Sequence, residues 1–119
     1  MGGQALGGTH VNAKAKGSRN ERRSIALLES AGYRCTRSAA SLGAWDIIGV
    51  SAVDVVLVQV KTRDWPGADE LERLRSFAAP SNAHKLVHRW RDRQRHPDVR
   101  EVIDATPVDL SVGRHMAAI

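Results

Sequence analysis

The stretch VDVVLVQVK, residues 53–61, constrains the fold more than any other part of the chain. Five valines and a leucine in nine residues favour extended backbone, because β-branched side chains fit a pleated surface. The run is nearly continuous rather than alternating, which predicts a strand covered on both faces, at the centre of a sheet. A sheet covered on both faces needs a layer on each side, so the architecture expected is α/β. At its end the run turns polar: period-two alternation puts Val53, Val55, Leu57, Gln59 and Lys61 on one face and Asp54, Val56, Val58 and Val60 on the other.

The flanking segments supply the layers. Ser18 and Glu21 form an S-x-x-E capping box, which predicts a helix beginning at Ser18, with Ile25, Leu27, Leu28 and Ala31 as its apolar stripe and Gly32 as its stop. Arg19, Arg22 and Arg23 would then crowd the first turn, where the helix dipole disfavours cations, a local misfit that points to an anion nearby. YRCTRS, residues 33–38, alternates as a short strand, and after the loop AASLGA the segment WDIIGV from Trp45 reads as a second. Trp65-Pro66-Gly67 breaks the chain before a helix starting at Ala68 or Asp69, with Leu71, Leu74, Phe77 and Ala78 facing inward and Pro80 ending it. His84–Trp90 and Val99–Ile103 read as strands on either side of a turn at His96-Pro97-Asp98. The expected order is α-β-β-β-α-β-β, a mixed central sheet flanked by helices. Residues 1–17 hold five glycines and read as a flexible basic arm, residues 18–119 as a single domain, and the tail from Asp104 has no clear pattern.

Composition removes several function classes. No apolar run approaches the about 20 residues of a membrane-spanning helix, and MGGQALGGTH reads neither as a secretory signal nor as a myristoylation site. A single cysteine, Cys35, forbids an internal disulfide framework or a cysteine-built zinc site and fits a reducing cytoplasm. The 18 Lys+Arg outweigh 13 Asp+Glu, with a pI near 10.1. Fourteen of those cations are arginines, whose planar fork suits phosphate oxygens, so a polyanionic partner, nucleic acid first, is expected.

The chemistry gathers where the valine run turns polar. An amide and an ammonium are poor core groups without partners, and Asp46, opening the preceding strand, is their neighbour if the two strands form a hairpin. One reading is a hard divalent cation held by the Asp46 carboxylate and the Gln59 oxygen, with Lys61 facing a phosphate. The other is an Asp46–Lys61 ion pair at a frayed sheet end, with Gln59 bonded to backbone.

KGSRNERRSIALLESAGYRCTRSAAS, then WDIIG, then VLVQVKTRD resembles the PD-(D/E)XK nuclease superfamily, and more narrowly the archaeal-type Holliday junction resolvases. The resemblance implies a restriction-endonuclease-like fold and a magnesium-dependent endodeoxyribonuclease, with manganese as a substitute. It makes Glu21 the helix glutamate, Asp46 the metal-binding aspartate, Lys61 the lysine and Ser41, with Ser38 as alternative, the loop serine. Gln59 departs from the pattern, which has glutamate there; its carbonyl oxygen can still ligate, with one charge fewer. Glu21, Ser41, Asp46, Gln59 and Lys61 are thus the catalytic candidates, and Asp46, Gln59 and Glu21 the metal ligands. The implied partners are four-way or branched DNA and a second copy of the chain, because a two-fold symmetric junction calls for paired cuts. An intracellular or phage-encoded protein follows. The rivals are another nuclease of the superfamily, of phage, restriction or repair type, and a DNA-binding protein whose site has decayed.

Lys16, Arg19, Arg22, Arg37, Arg63, Arg89, Arg91 and Arg93 are the expected DNA contacts. If RDRQRH continues the strand, Arg89, Arg91, Arg93 and Arg95 form a ladder on one face that tracks phosphates. Trp90 is expected in the core or at an interface, with base stacking as its other use.

Overall fold

The structure, a computed structural model, describes residues 2–38 and 42–103, with side chains from residue 15 onward. Helix α1 (Gly2–Ser30) leads into strands β1 (Arg34–Arg37), β2 (Ile47–Val50) and β3 (Val55–Thr62), then helix α2 (Ala68–Ser76) and strands β4 (Ala83–Trp90) and β5 (Asp98–Glu101). The element order is the expected one. The five strands lie side by side in chain order, with β3 in the middle. Every neighbouring pair is antiparallel except β3 and β4, which run parallel because α2 carries the chain back between them.

The valine run behaves as its composition demands. Val56 and Val58 pack with Leu28 of α1 and Ile47 of β2 on one face, while Leu57 packs on the other with Trp45, Leu74 of α2, Val87 and Val102. Strand β3 begins at Val55, and Val53 is left exposed in the preceding turn. That turn is closed by Ser51, whose hydroxyl accepts from the Val53 and Asp54 amides and donates to the Asp54 carboxylate at 2.6 Å. Gly49 of β2 has no room for a side chain: a Cβ there would lie 2.8 Å from Val56 and 3.2 Å from the Cys35 sulfur.

Helix α1 ends as expected, with Gly32 at φ +100° and the Tyr33 amide donating to the Leu28 carbonyl. Its start does not fall at Ser18. The helix is continuous through that residue, so the capping box is not used; the Ser18 hydroxyl instead accepts from Arg22 and its carbonyl from Arg37. Arg19, Arg22 and Arg23 are therefore mid-helix, and their supposed clash with the dipole disappears. In α2 only Leu74 is buried; Phe77 packs against Trp45 edge to face, Leu71 and Ala78 are exposed, and the helix stops at Ser76, before Pro80. The carbonyls of Arg75 and Phe77, at that helix end, accept from the ammonium of Lys85, which is 3% exposed. No helix among the described residues is long and apolar enough to cross a membrane.

Candidate active site

Asp46 stands one residue before β2, whose pairing of Ile47 with Val58 sets it opposite Gln59 on β3. Its amide donates to the Val58 carbonyl and its Oδ2 accepts from the Val60 amide at 2.7 Å, so the side chain is locked to the strand. Burial pushes the Asp46 carboxyl up; the Val60 amide and the Lys61 charge pull it down, and Glu70 pushes it up again. Glu21 of α1 is held up by burial first and next by the repulsion of Asp46, with Arg37, 3.6 Å away, opposing. Two partly buried carboxylates that repel each other form a site short of positive charge.

Gln59 is 4% exposed. Its Nε2 donates to Glu70 Oε2 at 2.8 Å, and its Oε1 is buried with no hydrogen-bond partner among the described residues. A carboxylate against Nε2 fixes which end of the amide is which, since the flipped amide would set oxygen against oxygen. A buried acceptor without a donor costs about 1–3 kcal/mol, and a cation is one way to satisfy it. The Lys61 ammonium lies 3.1 Å from Glu70 Oε1. The ion pair expected between Asp46 and Lys61 is therefore replaced by Glu70–Lys61, and Gln59 donates to a carboxylate rather than to backbone.

The donors present fit a hard divalent cation: the Asp46 carboxylate and the unpartnered Gln59 oxygen, with Glu21 close by. Among the described residues no three His, Cys, Asp or Glu side chains converge to hold a metal, so the amide oxygen is needed to complete the set. Ser41 lies outside the described residues. Ser38 is buried, its amide bonded to the Asp46 carbonyl and its hydroxyl to the Trp45 carbonyl, so it anchors the strand end that carries Asp46.

The arginine ladder does not form. Strand β4 stops at Trp90, Arg93 takes a left-handed φ of 67°, and the Gln94 side chain closes the turn on the Arg91 amide. Arg89 and Arg91 turn to Asp98 at 2.7 and 3.4 Å, and Arg89 and Arg100 stack on Trp65 from 4.4 and 4.1 Å. The basic groups gather elsewhere, in a groove of about 300 Å³ between α1 and this turn, lined by Lys16, Arg19, Arg23, Arg91 and Arg93, with Asp92 the one acid among the described residues there. Lys16 reaches Asp92 at 2.9 Å. Trp90 floors the groove but is 2% exposed, under the Arg23 guanidinium and bonded through Nε1 to Ser24, so it is a core residue and no base platform. Asn20, in the same groove, donates to Thr62, the last residue of β3. Arg22 and Arg63 are exposed, and Arg37 spans Glu21 and Ser18.

A family model described as archaeal Holliday junction resolvase (Hjc) matches residues 12–100. The chain belongs to this family. It is also similar to the structure of Archaeoglobus fulgidus Hjc, a Holliday junction resolvase from an archaeal hyperthermophile, at 28% identity and a TM-score of 0.57, over 74% of this chain and 72% of that one. No curated protein matches the chain.

The span matched to the Hjc family contains Glu21, Asp46, Gln59 and Lys61, and also Glu70, which the sequence reading missed. A signal for it exists. A helix that follows a strand in a β-α-β unit begins over that strand's C-terminal end, where sites on such sheets are built. Asp69 and Glu70 occupy the first turn of α2, directly after the strand that ends in Gln59 and Lys61.

Proposed function

We propose that this member of the resolvase family is a magnesium-dependent endodeoxyribonuclease that cuts four-way DNA junctions, acting inside the cell as a homodimer of one nuclease domain per chain. The observation that carries the chemistry is the buried, unpartnered Gln59 oxygen across the strand pair from Asp46, beside a tethered ammonium. Phosphodiester hydrolysis needs an attacking water and relief of the charge that builds on the phosphate. A magnesium ion, held by Asp46 and Gln59 with Glu21 at its edge, would when bound polarise the phosphate and acidify a water. Asp46 is kept in place for this by the Val60 amide. Lys61 is placed to hold the water or to donate to a phosphate oxygen, and Glu70 keeps its ammonium at the site. Glu21 holds a water from the helix side.

The groove between α1 and the β4–β5 turn supplies the grip on DNA. Five cations against one acid favour phosphates without reading bases. Through Asn20 the groove meets Thr62 at the end of β3, the strand that also carries Gln59 and Lys61.

Labelled four-way junction, linear duplex and single strand, each with and without magnesium, test this reading. Paired, symmetric cuts near the branch point, confined to the junction and to magnesium, are expected. Equal cutting of duplex would mean a nuclease of another kind, and junction binding without cuts in magnesium or manganese would mean a decayed site.

A further inference from the structure

Among the described residues Glu70 is the one acid that touches both polar residues at the end of β3. Its two oxygens are divided: Oε2 takes the Gln59 amide at 2.8 Å and Oε1 takes the Lys61 ammonium at 3.1 Å. Gln59 and Lys61 are two apart on one strand and share a face, so a single carboxylate arriving from above reaches both. Glu70 arrives there in the first turn of α2, on a helix whose cap residue, Gly67, offers no side chain. Both of its oxygens meet donors, one of them an ammonium, which is the surrounding a carboxylate anion requires.

The consequence lies at the far end of the Gln59 side chain. An amide donating through Nε2 must point its oxygen the other way, and that oxygen is buried with no donor among the described residues. Left free, the amide would turn or tilt until its oxygen met a donor, and the nearby Lys61 ammonium is one. Glu70 prevents this twice over, by binding Nε2 and by occupying Lys61.

We infer that Glu70 is a positioning residue: it locks the Gln59 amide with its oxygen toward the site and supplies, from α2, the negative charge that a glutamine on β3 lacks. The inference rests on the proposed function and adds to it a residue from a different element. Glu70 and Gln59 then act as one unit in which either member can carry the charge. The hydrogen bond between them needs one amide and one carboxylate, in either order, so exchanging the two preserves the bond and the net charge.

The test uses Mn²⁺ alone, titrated calorimetrically into full-length protein without DNA, with thermal melting of each variant and the side-chain amide resonances of the metal-free protein. In the wild type the Gln59 NH₂, assigned by its loss in Gln59→Ala, should give two well-separated, slowly exchanging protons. Glu70→Ala should merge them toward free-amide positions and weaken Mn²⁺ binding 10- to 100-fold, the range for losing a residue that orients a ligand. Glu70→Gln, which keeps an acceptor for Nε2, should recover at least threefold of that loss. The exchange Gln59→Glu with Glu70→Gln should bind Mn²⁺ within threefold of wild type or tighter, even if Glu70→Ala does not fold. Binding by folded Glu70→Ala within twofold of wild type overturns the inference, as does an exchanged variant that melts like wild type yet binds as weakly as Glu70→Ala. Equal weakness of Glu70→Gln and Glu70→Ala also overturns it, because charge alone would then be at work. A wild type that binds Mn²⁺ but cuts no junction defeats the proposed function and leaves this pairing standing; one that binds no Mn²⁺ defeats both.

Discussion

Lowering the pH from 7 to 4 should remove about 3 kcal/mol of stability through one residue, His88. This histidine is 3% exposed on the α1 side of β4, and its Nδ1 lies 2.9 Å from the hydroxyl of Ser24, itself fully buried. The same hydroxyl accepts from Trp90 Nε1 at 2.9 Å, and with a proton and a second lone pair left it can pair with either tautomer of a neutral imidazole. Burial pushes the imidazole down from 6.5 to about 4. The folded protein thus binds fewer protons than the unfolded chain between those values, and stability rises with pH across that window. The shift is 6.5 less about 4, or about 2.5 units, and at 1.36 kcal/mol per unit it comes to about 3 kcal/mol, fully present above pH 6.5 and lost as pH falls through 4. Other groups titrate in the same range: Asp54, Asp92 and Asp98 are lowered and lose stability in acid, while the raised Glu21 and Asp46 do the reverse. Comparison with His88→Gln, which keeps an acceptor for Ser24 and does not titrate, removes them. Urea unfolding of both proteins from pH 7 to 4 should give curves that separate by about 3 kcal/mol, the wild type falling faster. Parallel curves would refute the argument and mean that His88 is hydrated or protonated in the fold.

Three other outcomes follow from local packing and charge. Gly49→Ala should destabilise by about 1–3 kcal/mol in chemical denaturation, since its methyl would press on Val56 of the next strand at 2.8 Å. Lys85→Met should cost about 1–3 kcal/mol, because the carbonyls of Arg75 and Phe77 lose their donor at the end of α2; unchanged melting would mean that water caps the helix equally well. Charge reversal at Arg19 and Arg93 should weaken binding to all DNA alike and flatten its salt dependence by about two counterions, and an unchanged slope in a binding titration would place the groove off the DNA path.

The sheet was legible because its signals are local. Valine density marks β3 as central, and Gly32 marks the end of α1 by a conformation that few other residues adopt. That Asp46 neighbours the polar end of β3 followed from pairing the two strands as a hairpin; the register that sets it opposite Gln59 did not. What the sequence hid depends on distance or on competition. Glu70 meets Gln59 because α2 folds back over β3, a contact that the order of strand and helix signals but that no periodicity encodes. The Ser18 capping box is genuine as a pattern, yet a cap forms only where the preceding residue leaves the helix, and here the helix runs through. Arginines at alternate positions looked like a ladder, but Asp98 and the left-handed turn at Arg93 outcompete extended backbone.

In the proposed reaction cleavage runs through Asp46 and the ion it would hold, while DNA grip lies elsewhere. Single-turnover cutting of a labelled four-way junction in magnesium, with junction affinity measured beside it for wild type and Asp46→Ala, tests this directly. The wild type should cut, and the variant should bind within a few-fold of wild type and leave the junction whole. Magnesium-dependent cutting by Asp46→Ala at the wild-type rate would contradict it.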